Sequence, residues 1–339
     1  MSLPATYRRA AFKVQGEPLV IETVPLEQPP ANQVLVKVEA CGVCYSDCYA
    51  QMNGLGHGFP IVPGHELIGR VVALGPGVTN WSIGDRIGGP WHGGHDGTCI
   101  ACRSGHFQMC ENGVVNGVTR DGGYAEYCTL RAEAGVRIPE DVDAAKYAPI
   151  LCAGVTMFNS LRQQHVPVGA TVAVEGLGGL GHLAIQYARK FGYKVIALSR
   201  GADKEAFARQ LGAHEYVDTS VKDGGEALRE LGYASLVMTT NPNAKAIPGL
   251  LKGLGPAGRL LILSVPGDIT FNAGAMLKHG LSVQVWPSGH ARDSEDAIEF
   301  TKNQGVDCLI EKFPLEKANE AYQAMMANKV RFRAVITMD

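Results

Sequence analysis

No stretch of this chain approaches the roughly 20 apolar residues needed to span a bilayer as a helix, so a membrane location is not expected. Charge of one sign is also missing in excess. The 31 Lys and Arg stand against 33 Asp and Glu, a formal net charge of -2, which points to neither nucleic acid nor an anionic membrane as a partner. The opening MSLPATYRRAAFKV lacks the uninterrupted apolar core of a secretion signal, so a cytoplasmic, reducing setting is expected. Repeats and low-complexity tracts are absent too, which excludes solenoids and linker-like arrays.

What is present is an ordinary globular composition over 339 residues, 46% hydrophobic and 19% charged, enough for about two domains. Its nine cysteines, in a reducing compartment, are expected to serve as metal ligands, nucleophiles or small buried residues rather than as bridges.

Up to about residue 150 the apolar runs are short. RAAFKV, LVIETV, QVLVKVEACGV, ELIGRVVALG, YAEYCTL and GVRIP are separated by Gly, Pro and Asn, which reads as an antiparallel, barrel-like domain. Beyond residue 150 strand and helix alternate. TVAVEG precedes GLGHLAIQYARKFG, which has helical spacing at Leu180, Leu183, Ala184, Tyr187 and Ala188, and KVIALS, SLVMTT and RLLILSV follow. This is the βαβ alternation of a doubly wound parallel sheet. From about residue 288 the tail predicts one helix, EKANEAYQAMMANK, and a closing strand, RFRAVITMD.

The turn GLGGLG, with Gly176, Gly178 and Gly181, follows a strand and opens a helix. There glycines let the backbone approach a pyrophosphate whose charge lies against the helix N-terminus; the bland alternative is a glycine-rich turn that binds nothing. At the end of the next strand an acidic residue would hold the NAD ribose, whereas a cation accommodates a 2′-phosphate. The chain has Ser199 and Arg200 there, with Lys204 nearby, so NADP(H) is favoured over NAD(H), unless Arg200 is only a solvated loop residue.

The stretch CGVCYSDCYA, residues 41–50, followed by GHE at 64–66, could be a metal site, a disulfide pair or a buried strand. A catalytic zinc site needs three protein ligands and an open position, and Cys44, His65 and Cys152 could supply that set. The ordered combination of CGVCYSD, GHE, a CxxCx7C lobe, APILC and GxGxxG resembles the zinc-containing medium-chain dehydrogenase/reductase family, and more closely its alcohol dehydrogenases. The resemblance covers essentially the whole chain. It implies a GroES-like catalytic domain over 1–150 and 288–339 and a Rossmann cofactor domain over 151–287.

Carried over residue by residue, the resemblance makes Cys44, His65 and Cys152 catalytic zinc ligands, drawn from both domain margins and so placing the metal in the cleft. It makes Asp47 the carboxylate that orients His65, and Glu66 an acidic neighbour able to approach the metal. Ser46 stands where a hydroxyl contacts the substrate oxygen and passes its proton outward, and Tyr49 stands where the family usually carries a relay His. Tyr45 replaces a residue that would touch the cofactor pyrophosphate, leaving Arg333 as the phosphate contact. Thr156, Leu263 and Val265, with the turn Gly176, Leu177, Gly178, Gly179, Leu180 and Gly181, are implied cofactor contacts. Cys41, Cys48 and Cys128 have no family role and are expected to be small buried residues.

In HDGTCIACRSGHFQMC, Cys99, Cys102 and Cys110 fit three ligands of the family's structural zinc, and the first position is Asp96. Zinc accepts carboxylate oxygen at nearly the imidazole distance; the alternatives are an empty lobe held by packing, or His95 in place of Asp96. His57, His106, His165, His182, His214, His279 and His290 are expected at the surface or in loops. Trp91, Trp286 and Leu55 are expected to shape the pocket or pack in the core. The expected activity is hydride transfer between NADP(H) and an alcohol or carbonyl carbon, by a homodimer or homotetramer acting on a small molecule. The competing readings are a zinc-free double-bond reductase and a non-catalytic cofactor-binding protein on the same fold.

Overall fold

The structure, a computed structural model, describes residues 3–338 and divides into two compact units, one running up to Val155 and resuming at Ser288, the other Thr156–Pro287. The division falls after Val155 rather than after residue 150. Ala153 and Val155 are buried, and the 3-10 turn Ala148–Leu151 that precedes them packs on strands of the first unit.

The main sheet of the first unit runs Ile310–Pro314, Arg333–Thr337, Gln33–Gly42, Leu67–Leu74, Arg86–Gly89, Val136–Arg137, with Tyr127–Arg131 also paired to Gln33–Gly42. All these pairings are antiparallel except Ile310–Pro314 with Arg333–Thr337. QVLVKVEACG takes the centre because it is apolar on both faces, with only Lys37 exposed. Phe12, Ile61, Leu67, Tyr124, Leu130 and Tyr322 fill the core around it, the Phe, Ile and Leu side chains each contributing about 1.5–3 kcal/mol by burial.

Strand register brings distant segments to one end of this sheet. Gly42 pairs with Val335 on one side, while Cys41 pairs with Leu67 on the other. The residues just beyond these pairs, Cys44, His65, Glu66 and Arg333, therefore meet. A Cβ on Gly42 would fall 1.9 Å from a Glu66 carboxylate oxygen, so only glycine lets that carboxylate lie there.

The second unit is a six-stranded sheet in the order Glu215–Asp218, Lys194–Ser199, Thr171–Glu175, Ala234–Thr239, Leu254–Ile262, Ser282–Val285, parallel throughout. Numbered along the unit, this is the 3-2-1-4-5-6 order of the Rossmann fold, whose crevice lies where the order reverses. Helix Gly181–Lys190 buries Leu183, Ala184, Tyr187 and Ala188, in keeping with the helical spacing of the sequence.

One helix was expected beyond residue 288, and the described residues form two α-helices there, Ala291–Gln304 and Ala318–Met326. ARDSEDAIEFTKNQ is mostly polar, and of its buried residues Asp293, Ser294, Ala297, Ile298 and Thr301 only two are apolar, which gives weak periodicity. Its ends carry the signal instead: the His290 ring accepts the Arg292 N–H, Asp293 accepts the His290 N–H, and Gly305 closes the helix at φ 63°, a conformation that favours glycine.

Candidate active site

The turn Tyr45–Asp47 starts the site. Asp47 N donates to Cys44 O at 3.1 Å and Asp47 Oδ2 accepts Cys44 N at 3.0 Å, so the turn is closed from both sides. Asp47 is fully buried and its carboxylate is heavily used. Oδ2 also accepts the Tyr124 hydroxyl at 2.7 Å, and Oδ1 accepts Gly64 N at 3.3 Å and lies 3.2 Å from His65 Nδ1. That last contact is within ion-pair reach. Tyr124 was not anticipated: nothing local in DGGYAEY points to a partner 77 positions away.

The Sγ atoms of Cys44 and Cys152 lie 3.9 Å apart. Cys44 is held well below the usual thiol range by the Cys152 thiol, aided by His65 and Arg333, and the same contact pushes Cys152 up. Burial opposes charge on His65, but Asp47 and Cys44 outweigh it and raise its pKa well above 6.5. Glu66 is lifted to about 7 by burial, against the pull of Arg333, whose Nη2 donates to Glu66 Oε1. Arg333, expected on a cofactor phosphate, thus has a partner that the sequence did not suggest.

The ligand atoms of Cys44, His65, Glu66 and Cys152 all lie within 4.8 Å of one another. His65 Nε2 and Glu66 Oε2 are buried with no hydrogen-bond partner. Two sulfurs and one imidazole nitrogen, beside a carboxylate and with more acidic groups than Arg333 alone offsets, suit Zn2+ held by three ligands, the fourth position then being free for exchange between the Glu66 carboxylate and another oxygen. Around them Trp91 stands edge-on to His65 with centroids 4.8 Å apart, and Tyr49 lies 6.3 Å beyond Trp91. Ser46 and Tyr49 are half-buried, while Tyr45 and Leu55 are exposed at 64% and 51%.

A second donor group comprises Asp96, Cys99, Cys102 and Cys110, again within 4.8 Å of one another. Asp96 Oδ1 accepts Thr98 N and Cys99 N at 2.7 and 3.1 Å, and Oδ2 accepts Asn112 Nδ2 at 2.7 Å. These hydrogen bonds, Asn112's first, hold the carboxyl below its ordinary range. His95 is outside the group, its ring stacked on His92 at 5.2 Å and tilted over Phe107 at 4.4 Å.

Other residues singled out in the sequence divide by burial. Cys41 and Cys128 are buried, whereas Cys48 is only half-buried, because the short helix Cys48–Gln51 buries Ala50 alone. His57, His106, His165 and His279 are exposed. His182, expected at the surface, is fully buried in helix Gly181–Lys190, which faces inward along most of its length; His214 and His290 are half-buried, His214 accepting the Val195 N–H at 2.9 Å. Trp286 Nε1 is buried and has no hydrogen-bond partner.

In the second unit Gly176 sits at φ 98°, and a Cβ on Gly181 would fall 1.7 Å from Gly176 O, so the turn needs both glycines. Ser199 ends its strand buried, Arg200 is exposed and Lys204 half-exposed. Leu263 N donates to Thr239 O at 2.9 Å, and Val265 is 82% exposed. Thr156 opens the unit. Among the described residues no helix is long and apolar enough to cross a membrane.

Two family models match the chain: the alcohol dehydrogenase GroES-like domain over residues 30–140 and the zinc-binding dehydrogenase domain over residues 179–303. The alcohol dehydrogenase notN of an Aspergillus species is 59% identical over 339 residues, covering all of both chains. The alcohol dehydrogenase patD of Penicillium expansum is 61% identical over 99% of this chain and 98% of its own. Among solved structures, acetophenone reductase from Geotrichum candidum in complex with NAD superposes with a TM-score of 0.87 at 25% identity, covering 99% of this chain and 98% of that one. With relatives this similar across its whole length, the chain belongs to the zinc-type alcohol dehydrogenases of the medium-chain dehydrogenase/reductase family.

Proposed function

We propose that this oxidoreductase transfers hydride between NADP(H) and an alcohol or carbonyl carbon at a zinc held by Cys44, His65 and Cys152. The observation that carries the reading is the convergence of two buried-site sulfurs, the unpartnered His65 Nε2 and the Glu66 carboxylate on one point. Zinc there supplies Lewis acidity to the substrate oxygen, and the nicotinamide supplies or accepts the hydride. Asp47 keeps the His65 ring oriented, and Glu66, tied to Arg333, adds an acidic group beside the ligands. In reduction the Ser46 hydroxyl gives its proton to the substrate oxygen, and in oxidation it takes one up. Tyr49, which can both donate and accept, stands next on the way to water. Trp91 and Tyr49 place aromatic rings beside the donor atoms. An aldehyde and alcohol panel with zinc analysis tests the reading: turnover that persists after the catalytic metal is removed would end it.

The Asp96 group is proposed to hold a second, structural zinc. Asp96→Ala should lower metal content toward one ion per chain and reduce the melting temperature, with a smaller effect on hydride transfer. Unchanged metal content and melting temperature would remove Asp96 from the ligand set.

The NADP(H) preference is supported by the missing acid at Ser199 and the exposed Arg200 guanidinium. A planar guanidinium meets a 2′-phosphate with paired charged hydrogen bonds, each worth about 1.5–3 kcal/mol, or roughly 10- to 150-fold in affinity. Arg200→Ala should therefore weaken NADPH far more than NADH, and Ser199→Asp should move preference toward NADH. Because the acetophenone reductase complex contains NAD, steady-state constants with both cofactors are the decisive measurement; equal or better wild-type efficiency with NADH would refute the preference. We further infer a cytoplasmic homodimer or homotetramer. The nine cysteines are all free, and strand Ser282–Val285 closes its sheet with one neighbour and Val285 63% exposed, an edge suited to a second copy.

A further inference from the structure

Strand Glu215–Asp218 does more than flank the cofactor sheet. It pairs in parallel with Lys194–Ser199, Ala197 opposite Tyr216 and Ser199 opposite Asp218. Side chains two apart on a strand share a face, so Tyr216 and Asp218 both reach the turn that follows Ser199, while Val217 between them is buried. The Tyr216 hydroxyl lies 3.1 Å from Ser199 O and 2.6 Å from Gly201 O, one proton serving two carbonyl groups. Asp218 Oδ1 accepts Gly201 N at 2.9 Å and is itself braced by Ser220 N at 2.8 Å and Ser220 Oγ at 2.6 Å.

The consequence is specific to one residue. Ser199 and Gly201 are gripped on both sides of Arg200, and Gly201 stands at φ 97°, where the chain must bend without a Cβ. Arg200 lies between the grips with its side chain in solvent. A turn left to itself would sample several conformations, and each would aim that side chain differently; held at three backbone groups from the neighbouring strand, it presents one. Charged, bidentate recognition rewards such pre-organisation, because little rotational freedom remains to be lost on binding.

We propose that Tyr216 is a positioning residue for cofactor choice, its hydroxyl fixing the Ser199–Gly201 turn in the conformation that discriminates the substituent at the adenosine 2′ position, with Asp218 as its second anchor. This rests on the reading that the turn after Ser199 faces that position. It does not require that Arg200 be the group that makes the contact.

Tyr216→Phe removes the hydroxyl and keeps the ring. Losing one shared neutral hydrogen bond that positions a charged contact should lower the NADPH to NADH ratio of kcat/KM by about 3- to 10-fold, with NADH efficiency within about twofold of wild type and thermal stability little changed. Asp218→Ala, which releases Gly201 N from the other side, should shift the ratio in the same direction. Both variants are made again in an Arg200→Ala background, as a double-mutant cycle. If the ratio shift disappears there, Tyr216 acts through Arg200; if it persists while Arg200→Ala alone leaves the ratio unchanged, the assignment of Arg200 fails and the positioning role stands. A ratio unchanged by Tyr216→Phe, or an equal loss with both cofactors, overturns the proposal, since a merely structural residue would weaken the two alike.

Discussion

Cys152→Ser is expected to lose one zinc per chain and to cut kcat/KM by about 1,000-fold or more, with the circular dichroism spectrum unchanged; Cys44→Ser should behave alike. Polarisation of a substrate oxygen by a metal is worth several kcal/mol, and each 1.4 kcal/mol is about tenfold in rate. A serine hydroxyl does not ionise near neutral pH, so the substitution removes one of two sulfur donors 3.9 Å apart while adding no bulk. The fold should survive because Cys152 is not a core residue: it is partly exposed and follows the turn Ala148–Leu151, whose four residues are buried on their own account. Metal analysis beside steady-state kinetics decides it. A variant shown to lack that zinc and turning over at near-normal rate would remove the metal from the mechanism.

Arg333→Met should be the most destabilising of the substitutions considered for the first unit. Arg333 is 7% exposed and Glu66 fully buried, and the two form an ion pair. Removing one partner of a buried pair strands the other's charge at a cost of about 3–5 kcal/mol, whereas replacing both can be nearly neutral. The single variant should therefore melt well below wild type, by about 6–20 °C for a unit of this size. Glu66→Gln combined with Arg333→Met should recover much of that loss. Melting curves of the two singles and the double provide the test; if Arg333→Met melts with wild type, Glu66 is neutral in the native state and the pair holds no stability.

Much of the site was legible because its residues announce themselves locally. CGVCYSD and GHE carry Cys44, Asp47, His65 and Glu66 in two short words, and the structure brings Cys44, His65 and Glu66 together with Cys152, with Asp47 beside His65. The helix after GLGGLG was readable from its apolar spacing, since one whole face is buried. Helix Ala291–Gln304 was missed for the converse reason: only two of its buried side chains, Ala297 and Ile298, are apolar, and its evidence lies in its caps. Tyr124, Arg333 on Glu66, and Tyr216 on the Ser199–Gly201 turn were invisible, because each is a contact between segments whose chemistry is ordinary taken singly.

By itself the sequence determined the two kinds of layer, the glycine turn and the sulfur, imidazole and carboxylate groups on offer, because backbone periodicity, turn chemistry and side-chain type are properties of short stretches. Only the tertiary structure decided which donors meet and what holds them. Strand register set Gly42 between Val335 and the Glu66 carboxylate, burial turned Arg333 and Glu66 into a pair, and a neighbouring strand fixed the turn that carries Arg200. Such pairings depend on which strands lie side by side, and that choice is made by the burial of the whole core rather than by any residue in the site.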